Sequence, residues 1–298
     1  MIKSLKKFIS LRFSSSSSSQ IKSYQDLGYA IFPNFVPIHL IDELKSHVSN
    51  LIDKEDFSQE LLTFKTNQQH GGKFLETGST IHYFFEEYAL DKQNGLLKVP
   101  KQVALNKIGH AMHDLDPIFH KFSYRNEYKQ ILRAIGYKKP ILMQTMYIFK
   151  NPKKGSKVDP HTDNTYLITS PPSTIGFWVA LDDANKENGC LWGVPASQKT
   201  KTTLFMKRTA DGKGTFYEEK ENPSKNVDIQ NAVPLEVKKG SLVIFHGDFV
   251  HYSEDNHSDV SRNAFTMHFV ESENTKWGEE NWLQRTKELP AFDYYTTD

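Results

Sequence analysis

Apolar residues recur at helical spacing in the first half of the chain. The segment 37–53 is apolar at every third or fourth position, which predicts a helix. Two more helices are predicted at 100–113 and at 127–135, where Gly136 ends the second of them. A short strand at 28–33, ended by a proline, precedes all three. We expect these helices to pack against the outside of a sheet.

The pattern changes near residue 140, where short segments rich in β-branched and aromatic residues begin to follow one another. The predicted strands are 141–150, 165–170, 175–181, 190–194, 234–237, 241–245 and 263–270. Strands in succession after a group of helices are typical of a mainly β protein with a helical flank. We therefore expect a double-stranded β-helix (jelly-roll) core flanked by N-terminal helices, with a mouth that can hold a small ligand. The loop 202–231 is predicted to act as a lid over that mouth.

Composition points to one domain. The chain has 298 residues, 38% of them hydrophobic, which is enough for a sizeable core, and no Gly/Ser/Pro linker follows residue 20. Basic and acidic residues number 37 and 36, so no nucleic-acid partner is expected, and the basic run 150–154 is predicted to be a solvated loop. No segment approaches the ~20 apolar residues of a membrane span. The single Cys190 excludes an internal disulfide, and the oligomeric state is left open.

The N-terminal 25 residues differ from the rest. They contain basic residues, no Asp or Glu, and a serine run at 14–19, a composition typical of an organellar transit peptide. The alternative interpretation is a disordered Ser-rich tail. We divide the chain into this segment, 1–20, and a single domain, 21–298. Mitochondrial import is then one location and the cytoplasm the other, and the last three residues, 296–298, are not a peroxisomal signal of the Ser-Lys-Leu kind.

One triplet carries the candidate chemistry, His161-Thr162-Asp163. Residues two apart on an extended strand point to the same face, so His161 and Asp163 can converge on one ion. A third ligand must come from another segment, and we favour His251, which follows a predicted buried strand; His246 is the fallback ligand. Arg262 stands just before the next predicted strand, where its guanidinium can reach a metal-bound dicarboxylate.

Two histidines and one carboxylate occupy only one face of an octahedral metal and leave positions open, which is typical of iron(II) oxygenases. Two other functions use similar residues. A catalytically silent jelly-roll protein could bind a dicarboxylate or a metal as a sensor, and a cupin-like hydrolase could use the same ligands for catalytic zinc.

Several blocks of the sequence resemble the phytanoyl-CoA dioxygenase family from about residue 25 to the C-terminus. The blocks are Tyr29-Ala30-Ile31-Phe32, 106–113, 144–150, His161-Thr162-Asp163, 188–192 and 246–253. The resemblance implies a dioxygenase that uses Fe(2+), 2-oxoglutarate and O2, with ascorbate to keep the iron reduced. It implies hydroxylation of a small-molecule substrate with release of succinate and CO2, since Asp163 is present where halogenating relatives lack the acidic ligand.

The resemblance also assigns residues to roles. It implies that His161, Asp163 and His251 bind the iron and that Arg262 binds the distal carboxylate of 2-oxoglutarate. A further group is implied to line the cosubstrate pocket: Lys107, Met146, Trp178 and Ser253.

One segment departs from the family pattern. Where many members read Pro-Gly-Ser-His, this chain has Pro195-Ala196-Ser197-Gln198. The alanine predicts a turn that needs no positive φ angle, and the glutamine removes a possible charged contact. We therefore expect the departure to affect substrate preference rather than iron binding.

Overall fold

A computed structural model describes residues 17–58, 61–64, 68–219 and 229–284. The helices are α1 (Ser17–Leu27), α2 (Ile38–Lys54), α3 (Gly72–Glu76), α4 (Met112–Leu115), α5 (Pro117–Ser123) and α6 (Asn126–Ala134). The strands are β1 (Tyr29–Phe32), β2 (Leu62–Thr63), β3 (Ile81–Phe85), β4 (Leu105–His110), β5 (Pro140–Ile148), β6 (Val158–His161), β7 (Thr169–Ser170), β8 (Thr174–Ala180), β9 (Leu191–Gly193), β10 (Leu204–Arg208), β11 (Thr215–Glu219), β12 (Val233–Leu235), β13 (Leu242–His246), β14 (His251–Ser253), β15 (Ala264–Glu271) and β16 (Lys276–Trp277).

Two sheets form the core. The large sheet has the order β1-β13-β8-β15-β5-β4-β3-β2, and the small one has the order β12-β9-β14-β6. The pairs are antiparallel except β2 with β3. A buried cluster that includes Trp178 of the large sheet, Leu191 of the small sheet and Phe249 lies between them. This is the predicted mainly β architecture, a jelly roll with flanking helices.

The helices cover the outer face of the large sheet. Leu44 and Val48 of α2 and Ile131 of α6 lie in one buried cluster with Phe177 and Phe265 of the sheet. The period of the first helical segment therefore predicted both the helix and the face that it buries. The helix at 127–135 is also confirmed, with Gly136 at a φ of 99° directly after it.

The helix predicted at 100–113 is wrong. Residues 105–110 form β4, which pairs with β3 on one side and β5 on the other. The apolar positions that gave a helical stripe also fit a strand, and two neighbouring strands satisfy the backbone here. The strand predicted at 165–170 is reduced to β7, because a 3-10 turn at Asp163–Thr165 comes before it. Side-chain oxygens of Thr162 and Thr165 lie 3.0 Å apart across that turn.

Part of the predicted lid is a hairpin. Strands β10 and β11 pair from 204 to 219, and a bridge joins Gly214 to Gly71. Buried Met206 of this hairpin lines the central cavity. Residues 220–228 of the predicted lid lie outside the described residues, so the lid itself stays a prediction.

The described N-terminal boundary lies within the predicted tail. Helix α1 begins at Ser17, so residues 17–20 are continuous with the helix that precedes β1. The transit-peptide prediction for residues 1–16, and the assignment of the last three residues, lie outside the described residues. In the described part of the chain, no helix has the length and apolarity needed to cross a bilayer.

Candidate metal and cosubstrate site

The triplet and the third ligand meet where two short strands pair. His161 ends β6, His251 begins β14, and the two residues are register partners across the antiparallel pair. Asp163 is the first residue of the 3-10 turn that follows β6. One ligand atom from each of these three residues lies within 4.8 Å of the others. The structure therefore brings together donors from two segments of the chain, His161 and Asp163 in one and His251 in the other.

Backbone carbonyls orient both imidazoles. The Nδ1 of His161 lies 2.8 Å from the oxygen of Asp159, and the Nδ1 of His251 lies 3.0 Å from the oxygen of Phe249. A carbonyl oxygen only accepts, so each Nδ1 carries the proton and donates it. Each Nε2 is then left as the unprotonated donor that a metal requires.

Burial and mutual charge keep the site in its metal-binding protonation state. Burial, together with the charge of His251, lowers the pKa of His161 to about 4. Burial also lowers the pKa of His251. For Asp163, burial alone would raise the pKa, but His268, His251 and His161 outweigh it and hold the pKa well below its usual range. At neutral pH the set is two neutral imidazoles and one carboxylate.

Asp163 has a further neighbour that the sequence did not indicate. The Nε2 of His268, on β15, lies 3.3 Å from the Oδ2 of Asp163, and both side chains are about 95% buried. Gly176 of β8 makes room for this carboxylate, because a Cβ at that position would lie 2.7 Å from the same Oδ2. A larger residue at 176 would displace the acidic ligand.

The fallback ligand His246 is not part of this cluster. Its Nδ1 accepts a hydrogen bond of 3.0 Å from the backbone nitrogen of Asp248, and its ring lies 6.2 Å from that of Tyr24 in α1. His246 therefore faces the N-terminal helix. The segment between the two histidines reverses direction, which is why only His251 reaches the His161-Asp163 pair.

Arg262 is buried with unused hydrogen-bonding capacity. Its side chain is 1% exposed, its Nε donates to the oxygen of Gly189 at 2.8 Å, and its guanidinium lies 5.4 Å from the Trp178 ring centroid. Among the described residues, no group accepts a hydrogen bond from Nη1. A buried, unpaired N–H of a guanidinium is costly unless an anion is bound, so this atom marks a carboxylate position.

The residue beside Arg262 that the sequence analysis missed is Lys150. Predicted to be solvated, it is 1% exposed, and its Nζ donates to the backbone oxygen of Ser156 (3.0 Å), to Ser253 Oγ (2.9 Å) and to the backbone oxygen of Glu254 (2.5 Å). Burial and the charge of Arg262 lower its pKa well below the usual value. Met146, Ile148 and residue 150 are two positions apart, so the alternation of β5 places them on one face. That alternation was the feature of the sequence that indicated a buried Lys150.

The remaining predicted pocket residues also line the cavity. Met146 on β5 and Trp178 on β8 lie on either side of Thr266 of β15, since each is its register partner. Lys107 is 6% exposed, and its Nζ lies 3.2 Å from the centroid of the Phe64 ring. Burial lowers the pKa of this lysine to about 7.

All eight predicted site residues surround one cavity of about 510 Å³. This volume lies in the range of small-molecule sites, ~300–1,000 Å³. Two observations test whether the residues fit iron and a dicarboxylate. The donor set is two imidazoles with free Nε2 atoms and a carboxylate, and the Arg262 guanidinium offers an unpartnered donor in the same cavity. Both suit an octahedral metal with a chelating dicarboxylate.

The departing segment 195–198 does not lie at the cavity. Gln198 donates through Nε2 to the oxygen of Gln25 in α1, at 3.2 Å, and does not line the cavity wall. The expected effect on substrate preference is not tested by this position and stays a prediction. Ala196 has a φ of 65°, so the prediction of a turn without a positive φ is wrong. The backbone nitrogen of Ala196 donates to the oxygen of Leu27, which fixes this conformation.

Comparisons with known proteins match one family over most of the chain. A family model described as phytanoyl-CoA dioxygenase (PhyH) matches residues 24–264. The chain is 39% identical over 267 residues to phytanoyl-CoA dioxygenase 1 of Oryza sativa subsp. japonica, covering 89% of this chain and 93% of the relative. It is 39% identical over 286 residues to phytanoyl-CoA dioxygenase domain-containing protein 1 of Danio rerio, covering 93% and 97%.

A solved structure shares the fold at much lower identity. The epimerase SnoN, in complex with Fe3+, alpha ketoglutarate and nogalamycin RO, matches with a TM-score of 0.60 at 13% identity. The match covers 87% of this chain and 85% of the epimerase chain. At this identity the likeness concerns the fold.

Proposed function

The chain belongs to the phytanoyl-CoA dioxygenase family, and on that premise we propose that it hydroxylates a small-molecule substrate while converting 2-oxoglutarate and O2 to succinate and CO2. It is a 2-oxoglutarate-dependent dioxygenase that uses iron. The observation that carries the proposal is the convergence of His161, Asp163 and His251 in one cavity with Arg262.

The three converging residues are proposed to hold the iron. Bound iron(II) would supply the open coordination positions at which 2-oxoglutarate and O2 react. The residues prepare for this by fixing geometry and protonation. Hydrogen bonds to the carbonyls of Asp159 and Phe249 aim the two imidazoles, and the low pKa of Asp163 keeps its carboxylate ionised.

Arg262 is proposed to bind the distal carboxylate of 2-oxoglutarate. Its planar fork can bind both carboxylate oxygens, and packing against Trp178 fixes the plane of the guanidinium. Ser253 Oγ accepts from Lys150, so its own hydroxyl proton is free to donate to the same carboxylate. Lys107 would add positive charge from β4.

Apolar side chains form part of the cavity wall. Met146 and Trp178 on the large sheet and Phe245 on β13 present apolar surface to the cavity. Trp178 and Phe245 are 2% exposed. Such walls strengthen the electrostatic contacts within and exclude reactions with solvent.

Succinate formation from 2-oxoglutarate tests this function. Protein incubated with Fe(II), ascorbate and 2-oxoglutarate should form succinate, and a cell metabolite extract should raise the rate and yield a product with one added oxygen atom. Asp163→Ala should abolish succinate formation while circular dichroism remains that of the wild type. Arg262→Met should raise the KM for 2-oxoglutarate by about 100-fold, since a lost charge pair costs ~2–5 kcal/mol. Turnover with zinc in place of iron would contradict the proposal.

A further inference from the structure

The inner wall of the cavity contains a glutamine whose acceptor is unused. Gln144 on β5 is 5% exposed and lines the cavity, and among the described residues none donates to its Oε1. Its Nε2 lies 3.2 Å from the Nδ1 of His268, and the Nε2 of that imidazole lies 3.3 Å from the Oδ2 of Asp163. Gln144 is thus connected to the acidic member of the metal site through one histidine.

The two atoms of the Gln144 amide have different surroundings. The Nε2 of Gln144 is the atom that faces the Nδ1 of His268, at 3.2 Å. Among the described residues, none donates to the Oε1 on the other side of the amide. The Oε1 of Gln144 is therefore the atom left without a partner.

A strand irregularity places Gln144 on the cavity side. His268 pairs with Gln144, but the next residue of β15, Phe269, pairs with Leu142, so Met143 is an extra residue in β5. Leu142 and Phe269 lie in the core cluster under the helices, whereas Gln144 and His268 line the cavity. Bulges of this kind commonly redirect a side chain next to a functional site.

Beside Gln144 the cavity is walled by rings, which we call the aromatic chamber: Phe64, Phe74, His110 and Trp282. The ring centroids of Phe74 and Trp282 are 4.7 Å apart, those of His110 and Trp282 are 4.9 Å apart, and those of Phe64 and Phe74 are 5.6 Å apart. His110 and Gln144 both line the cavity, so this chamber and the glutamine share one space. Its surface suits an apolar, ring-sized body.

The chamber borders the cosubstrate position on one side. Arg262 precedes β15, whereas His268, which contacts Gln144, lies six residues later on that strand. The Nζ of Lys107, which is proposed to add charge beside the cosubstrate, lies 3.2 Å from the centroid of the Phe64 ring. A molecule in the chamber would therefore lie next to the cosubstrate.

We propose that the aromatic chamber binds the substrate of the dioxygenase reaction and that Gln144 Oε1 accepts a hydrogen bond from it. The substrate class is a compact molecule with an apolar ring and a hydroxyl or N–H donor. Gln144 is a specificity-determining residue, because a molecule of the same shape without the donor leaves its buried carbonyl oxygen unpaired. This inference rests on the proposed function for the identity of the reaction, but the binding preference can be measured without turnover.

Matched probes test the chamber in protein loaded with Fe(II) and 2-oxoglutarate under anaerobic conditions. The probes are 2-naphthol and its methyl ether, 2-methoxynaphthalene, which share a ring system and differ in the donor. Isothermal titration calorimetry should give a Kd for 2-naphthol that is about tenfold lower, the effect of one buried hydrogen bond of ~1.4 kcal/mol. Gln144→Met, which keeps the length and removes the acceptor, should bind both probes equally.

Met143→Leu is the matched control. It replaces an apolar side chain at the bulge and leaves every polar group in place, so the variant should keep the preference for 2-naphthol. Equal binding of the two probes by the wild type, failure of both to bind, or an unchanged preference in Gln144→Met would overturn the proposal. Succinate formation without any probe is measured in parallel on the wild type. Its absence would remove the proposed function, while a donor preference lost in Gln144→Met would still support the chamber.

Discussion

The Nζ of Lys150 donates a hydrogen bond of 2.9 Å to the Oγ of Ser253, inside a cavity wall where both side chains are at most 2% exposed. Two backbone oxygens complete the partners of the ammonium group. Lys150 thereby fixes the rotamer of a hydroxyl that is proposed to bind the cosubstrate.

Replacing Lys150 by Met should raise the KM for 2-oxoglutarate about tenfold with a smaller change in kcat, since the hydroxyl of Ser253 loses its fixed orientation. The same variant should lose roughly 2–3 kcal/mol of unfolding free energy, because its former acceptors become unsatisfied. Steady-state kinetics and urea unfolding measure the two effects. Lys154→Met, an exposed lysine of the same segment, is the control and should change neither. A loss of stability with an unchanged KM would show that Lys150 is only structural.

Asp248 connects the two segments that carry the candidate metal ligands. Its Oδ1 accepts from the Nδ2 of Asn164 at 2.7 Å, from the Oγ1 of Thr202 at 2.7 Å and from the backbone nitrogen of Thr202 at 3.1 Å. The Oγ1 of Thr202 also lies 2.7 Å from that of Thr162. One carboxylate, three residues before His251, thus holds both neighbours of Asp163.

Asp248→Ala should therefore weaken metal binding by about 10- to 100-fold, the usual effect of removing a group that orients ligands. Titration with Co(II), followed by visible absorption or by the rise in melting temperature, measures this without turnover. Asp211→Ala, in the exposed turn of the β10–β11 hairpin, should bind metal like the wild type. Equal Co(II) affinities for the two variants would mean that Asp248 does not position the ligands.

Lys107 makes the stability of the ligand-free protein depend on pH. Burial lowers its pKa to about 7 from the usual 10.5, so between these two pH values the unfolded chain holds a proton that the folded chain lacks. Stability must then rise with pH through this window. From pH 7 to pH 9, this group should contribute about 2 kcal/mol of added stability.

The measurement compares wild type with Lys107→Met in urea unfolding at several pH values, without metal or cosubstrate. The variant should be more stable at pH 7, and its advantage should shrink by about 2 kcal/mol by pH 9. An advantage that stays constant over this range would show that Lys107 keeps its proton, as cation–π contact with Phe64 and Phe84 would favour.

The sequence predicted which three donors converge better than it predicted their surroundings. His161 and Asp163 are close in the chain, and the strand before His251 has a clear apolar pattern, so local reasoning was enough to select them. His268 and Gln144 carry no such signal. Their roles depend on a one-residue register shift between β5 and β15, which only the folded sheet defines.

Lys150 shows a different limit. Its neighbours in the sequence, Pro152, Lys153 and Lys154, indicate a solvated loop, and two of them are exposed. Lys150 itself is enclosed because Gly155 and Gly189 allow the chain to pack against its methylene groups; a Cβ on either glycine would approach them within 2.4–2.6 Å. Such an enclosure comes from segments that are distant in sequence, so composition gives no indication of it.

Ala196 gives the final prediction, which concerns stability alone. Its φ of 65° is unfavourable for a residue with a Cβ, by ~1 kcal/mol, and a hydrogen bond to Leu27 holds the backbone there. Ala196→Gly should therefore raise the unfolding free energy by about 0.5–1 kcal/mol and the melting temperature by about 2 °C. Scanning calorimetry measures this. Ala210→Gly, at an exposed alanine whose φ is negative, should instead be neutral or slightly destabilising. A melting temperature for Ala196→Gly below that of the wild type would contradict the left-handed conformation at this turn.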